Sequence, residues 1–474
     1  NVANSDITAS GNISGVTTLI LADVGGTATL SGDVDVTTFT VGNTVANVAF
    51  TGNGSSVANS FTPDNDGTFI FGASGGTQTY NGALNTNSVD GTVTLNGTIA
   101  TSNDGIIFGA VTLGSATTVD TNATSNGADI TFNGAITGGS NNLTLSTGNN
   151  IAGADVLSKV AISGLGNLTL ADVGGTATFN ANIAAAAFSA DNTVANINLK
   201  GASNTFTGAA SFANDGTLTI GDASSDSFAF NGGLAENTSG TVTLNSSISS
   251  SNDAIVFGAV TLGSNVTIDT NATNTTGDLT IGAVTGGSNT LTLSTGNNIA
   301  NSDITASGAI SGVTTLTLID VGGTASFSSN VVVTTLTVGN TVNNVSLTGN
   351  GTVTNAVTFG NDGTLTLGNA SGDSFTFDGG LTVSTASSTL AGSIDSSNDD
   401  ITFGAITLAA ATTIDTNASD TTGDIIIGAV TGANNNLTLD TTTTTGSADN
   451  TFNGDINLGS GALSVTGDVV LGAN

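Results

Sequence analysis

A block of about 148 residues is written three times, end to end, through this chain, and that repetition limits the fold before any single residue is weighed. The segment Ala22-Asp23-Val24-Gly25-Gly26-Thr27-Ala28 returns at Ala171 to Ala177 and, as Ile319-Asp320-Val321-Gly322-Gly323-Thr324-Ala325, once more. Asn65-Asp66-Gly67-Thr68 returns at Asn214 and Asn361, and Asp120-Thr121-Asn122-Ala123 at Asp269 and Asp415. Arrays of this kind bury apolar surface between stacked neighbours instead of around one centre. Work is therefore expected from length and surface, not from a pocket. The blocks run 1–150, 151–298 and 299–445, and 446–474 opens a divergent fourth. Val2 to Gly11 matches Ile299 to Gly308 inside the array, so the sequence reads as an excerpt of something longer.

Within each block the apolar residues come as short alternating triplets separated by Gly, Asn, Asp and Ser, which spells strand, turn, strand. Leu316-Thr317-Leu318, Leu336-Thr337-Val338, Val357-Thr358-Phe359, Ile401-Thr402-Phe403 and Leu437-Thr438-Leu439 are examples from the third block. Strand side chains alternate, so the flanking apolar residues face in and the Thr faces out. Glycine and asparagine at the corners supply left-handed backbone. The expected fold is an all-β parallel β-helix of roughly 20–22 residues per coil, with about seven coils in a block. At about 4.8 Å per coil, some 22 coils make a rod of roughly 100 Å. Inward Phe, as in Phe69-Ile70-Phe71 and Phe375-Thr376-Phe377, is expected to stack from coil to coil. A string of β-sandwiches is the competing architecture, since short strands with turns also spell that fold. Against it, strands recur every 9 or 10 residues without the hairpin dipeptides flanked by long alternating strands that sandwiches use.

Composition excludes several function classes. Hydrophobic residues at 38% supply a core that a disordered chain lacks. The net charge of −33 rests on 35 acidic residues against Lys159 and Lys200 alone. Phosphate backbones and anionic membrane surfaces are recognised through Lys and Arg, so neither nucleic acid nor a membrane surface is an expected partner. No apolar run reaches the roughly 20 residues that span a bilayer, so no membrane insertion is expected of this segment. Expected instead are divalent cations and self-association, end to end through open strand edges or laterally.

The Leu-Thr-Leu-x-x-Gly strands, the Gly-Asn-Asn-Ile turns at Gly148 to Ile151 and Gly296 to Ile299, and the Gly/Thr/Asn/Ala-rich texture resemble filamentous haemagglutinin-like and autotransporter-type bacterial adhesins and related surface-layer proteins. The likeness covers the whole chain but is one of texture, with no diagnostic motif. It implies a right-handed β-helix at the bacterial cell surface, the shaft of an adhesin or filament, with a surface-layer lattice as the alternative. It transfers no functional residue.

Chemistry has few candidates. Glycoside cleavage needs paired carboxylates, for which Asp399 and Asp400, or Asp64 and Asp66, are available. Lyase chemistry would need a base, and only Lys159, Lys200 and Tyr80 are present, at positions the other blocks do not repeat. With Glu236 these singular residues should cluster if a site exists. No enzyme is expected. Calcium is the stronger candidate, because hard cations take oxygen ligands. Asp120, Asn122 and Asp129 recur as Asp269, Asn271 and Asp278, and as Asp415, Asn417 and Asp424. The competing reading is that Asp and Asn sit there because they tolerate corner geometry and bond their own backbone. Outward Thr also raises an ice-binding face, but the triplets mostly expose one Thr where a pair is needed.

Overall fold

A computed structural model describes residues 4–384, 387–419, 422–442 and 448–472. Among the described residues every element is a β-strand, and there is no helix. The strands stack as a β-solenoid of about 21 residues per turn. Two compact units, Asn1–Thr243 and Leu244–Asn474, each carry this architecture. Their boundary falls inside the second block, so blocks and compact units are different partitions of the chain. Parallel pairing throughout, as in Ile7–Ala9 with Thr27–Leu30 and Thr290–Ser294 with Ile310–Ile319, rules out the sandwich string.

Each turn supplies three short strands, and each strand pairs with its equivalents one turn below and one above. In the first unit one column climbs Ile7, Ala28, Val48, Phe69, Val93, Val111, Ile136, Ile162. A second climbs Gly97, Thr117, Leu143, Leu168, Phe188, Ala210, and a third Ile106, Ile130, Val156, Ala177, Ile197, Leu218. Inward positions of Leu, Ile, Val and Phe are almost all fully buried, while Thr144, Thr169 and Thr317 between them face outward. The triplets thus bury as their period of two requires. Aromatic rings lie over one another in successive turns, Phe206 on Phe230 at 5.1 Å and Phe188 on Phe212 at 4.9 Å.

Turn lengths are uneven. Val93 to Val111 is 18 residues and Ile136 to Ile162 is 26, because corners carry loops of different size. Leu437–Asp440 stacks over Thr412 to Asp415, in another column from that of Leu316 and Leu336.

The most repeated motif is a corner device. Asp23, Asp172 and Asp320 hold φ of 57°, 50° and 51°, a left-handed backbone that Asp tolerates better than most side chains. Their N–H groups donate to Thr44, Thr193 and Thr341 Oγ1 of the next turn at 2.7–2.9 Å. Val24, Val173 and Val321 plug the core beneath. The Gly pair follows because the turn below presses against it: a Cβ on Gly174 would lie 2.2 Å from the Asn150 carbonyl carbon, and one on Gly175 2.1 Å from Asp155 Oδ1.

Candidate functional site

The Asp and Asn of the repeated Asp-Thr-Asn element fold the same way in all three copies, while the Thr hydroxyl closes the neck in the first two and the buried Thr416 Oγ1 of the third has no partner among the described residues. At the end of strand Val111–Asp120, Asp120 Oδ1 accepts the Asn122 N–H at 2.9 Å, and Asn122 turns through φ 44°. Asn122 Nδ2 donates to the Thr101 carbonyl one turn below at 3.0 Å. Thr121 points inward, and its hydroxyl closes the neck of the following loop by donating to the Ala128 carbonyl at 2.7 Å. Ala123, Ala128 and Ala154 form a small apolar cluster behind it, with Ile151 packed against them.

Across the neck, Asp129 Oδ1 accepts the Asp155 N–H of the turn above at 2.9 Å. Asp269 and Asn271 repeat the pair at 2.9 Å, and Asp278 accepts from Asp303 at 3.0 Å. Asp415 and Asn417 do so at 2.7 Å, and Asp424 accepts from Asp449 at 2.8 Å.

The structure therefore joins Asp120 to Asn122 and sets Asp129 on the opposite side of the neck, engaged with the next turn. One oxygen of every carboxylate in the motif already satisfies a backbone N–H. That is a folding role, because corner N–H groups left bare on an uneven turn would lose a hydrogen bond. Each corner offers two carboxylates and one amide, and no three His, Cys, Asp or Glu side chains converge on a metal position among the described residues.

Only the third copy adds charge to this corner. Parallel register sets Asp395, Asp415 and Asp440 directly above one another, where the first block has Ala100, Asp120 and Ser146 and the second Ser249, Asp269 and Ser294. Like charges facing each other on neighbouring strands repel. The Asp395 carboxyl is held above its ordinary range, first by partial burial and also by the Asp415 charge, against a hydrogen bond from Ser393 that lowers it. Sequence reading missed this ladder, although lining up the blocks shows Asp395 where the others have Ala and Ser.

The singular residues do not form one site. Tyr80 is fully buried, its hydroxyl donating to Gln78 Oε1 at 3.0 Å, and burial pushes the phenol well up. Glu236 is 3% exposed, accepts the Thr238 N–H and stacks over Phe212. Lys159 and Lys200, which the sequence separates, share a single corner. Each follows a strand of the same column, two turns apart with Asn180 between, and their N–H groups donate to the Phe132 and Phe179 carbonyls. Neither lysine forms an ion pair among the described residues.

Asp399 and Asp400 line an open depression with Asp424, Thr382 and Gly380, and Asp400 Oδ1 accepts the Asp424 N–H at 2.9 Å. No helix is long and apolar enough to cross a membrane. Comparison with family models, curated proteins and solved structures finds no match to this chain.

Proposed function

We propose that this chain is the extracellular shaft of a bacterial surface adhesin or filament, a scaffold whose work is reach and cohesion. One observation carries the reading: in each unit the inward side chains form mainly apolar columns from turn to turn, as in Leu143, Leu168 and Phe188 and in Leu291, Leu316 and Leu336. Such a coil supplies mechanical continuity through backbone bonds along its axis and has its apolar interior filled by its own side chains. Outward positions carry mostly Thr and Ser, and corners carry Asp and Asn engaged in holding the next turn. The acidic charge keeps neighbouring shafts apart unless cations or end-to-end strand pairing bring them together.

Two measurements test it. Negative-stain electron microscopy of the purified chain should show thin unbranched particles, and antibody should label intact producing cells. Compact globules, or labelling only after permeabilisation, would sink the reading; planar sheets that disperse in chelator would assign the chain to a surface lattice. Calcium, in this reading, takes the free oxygens at the Asp120–Asp129, Asp269–Asp278 and Asp415–Asp424 corners. Calorimetric titration of chelator-treated protein checks that part, and an absent binding heat removes calcium from it.

A further inference from the structure

The block and the coil are out of step. Seven rungs above Ile7 stands Ile162, and in the second unit seven rungs above Ile304, through Ala325, Val345, Leu365, Ser388, Ile406 and Val430, stands Ile456. By sequence, Ile162 and Ile456 are not the counterparts of Ile7 and Ile304. Ile162 is the counterpart of Ile13, one strand later in the block, whereas Ile456 lies in the divergent fourth stretch, where Ala448 to Leu463 matches Ala128 to Leu143. The true counterpart of Ile7, Val156, lies in the Ile106–Ile130 column. The first block is therefore seven turns less one strand on a coil of three columns.

We infer that the block is a phase-shifting module: each copy adds reach in a fixed step and rotates everything beyond it by one strand column, without a break in register. The step is about six and two-thirds turns, or roughly 32 Å at ~4.8 Å per turn. The splice is seamless because contacts reach only neighbouring turns and because the junctions are identical. Leu21 to Thr29 and Leu170 to Thr178 carry the same residues, Leu-Ala-Asp-Val-Gly-Gly-Thr-Ala-Thr. Asp6 Oδ1 holds the Thr27 N–H at 2.7 Å, as Asp155 Oδ1 holds that of Thr176 at 2.7 Å, so either corner fits either floor. A partner that reads one block motif, such as the Asp415 loop, meets it on a new column in the next copy. Block number sets both how far and in which direction such a motif is presented.

The test is deletion of residues 22–170, joining Leu21 to Ala171, in a chain that also carries Thr8→Cys and Thr178→Cys. In the parent, Thr178 lies between Leu157 and Asn198, and Thr8 faces Thr29. In the deletion variant Thr178 moves above Thr8, at about the 4.8 Å spacing of paired strands, inside the roughly 4.4–6.8 Å that a disulfide spans. The chain has no other cysteine. Mild oxidation at high dilution should close the bridge in the deletion variant and leave the full-length double mutant reduced. Deleting 171–318 with Leu157→Cys and Ser326→Cys repeats the test at the next junction. A splice that keeps its β circular dichroism and closes its bridge supports the inference. Loss of folded structure in both, or folded chains that do not cross-link, overturns it, and neither result touches the shaft reading.

Discussion

Gln78 and Tyr80 occupy, in the first block, the places that Phe228 and Phe230 hold in the second and Phe375 and Phe377 in the third. Two apolar rings have been exchanged for two polar groups that satisfy each other, with Gln78 Nε2 donating to the Phe50 carbonyl at 2.8 Å. Tyr80→Phe strands Gln78 Oε1 in the core and should cost about 1–3 kcal/mol. Adding Gln78→Leu should recover most of that, since removing both partners leaves nothing unpaired. A double-mutant cycle by urea denaturation reads the coupling, and additive losses would mean the pair is not the reason for the exchange. Asn65 poses the reverse case. Its buried Oδ1 has no partner, whereas the equivalent Asn214 Oδ1 accepts from Thr238 Oγ1 at 3.0 Å. Val89 stands where Thr238 does, and its backbone neighbour Asp90 bonds the Asn65 carbonyl as Ser239 bonds that of Asn214. Val89→Thr should therefore stabilise by about 1 kcal/mol, measured as a raised denaturation midpoint.

At the scale of the element, the strands were legible and the corners were not. Alternation within Leu-Thr-Leu is local, so inside and outside follow from three residues. Which corner residues meet depends on the summed length of uneven turns, and unequal steps hide it. Asp395, Asp415 and Asp440 are 20 and 25 residues apart yet stand in one line, and no fixed period finds them. The two lysines escape notice for the same reason. The candidate ligands Asp120, Asn122 and Asp129 were legible as a repeated motif, while their engagement with backbone N–H groups needed the register.

The aspartate ladder makes a prediction at this scale. A carboxyl whose folded pKa is raised binds its proton more tightly folded than unfolded, so its penalty is present when it is ionised and is lifted as pH falls through the folded pKa. Among the described residues no cation faces it: Asp373, Asp378, Asp399 and Asp400 are further charged groups on the adjoining corners, and the chain's two lysines belong to the other unit. Asp395→Ser, the residue of the second block, should raise the thermal midpoint at neutral pH. The gain should shrink as pH is lowered into the carboxylate range, until variant and parent converge. A gain independent of pH would assign it to packing instead.

For the whole molecule the unusual quantity is a charge of −33 with two lysines to offset it. Most proteins have surface ion pairs that salt weakens and repulsions that salt relieves, and the two partly cancel. Here Lys159 and Lys200 make no ion pair among the described residues, so screening has almost only repulsion to act on. Successive turns put carboxylates about 4.8 Å apart along the axis, well inside the ~30 Å Debye length of 0.01 M salt and still inside the ~8 Å of 0.15 M. Raising sodium chloride between those values should remove the repulsion between distant turns and leave that between neighbours. The thermal midpoint should therefore climb steeply over that interval and flatten above it, where the remaining contacts are too close to screen. Thermal scans at a series of salt concentrations decide it, with sodium sulfate at matched ionic strength separating screening from the general effect of excluded salts. A midpoint that falls with sodium chloride would mean that attractive pairs, not the apolar columns, hold the turns together.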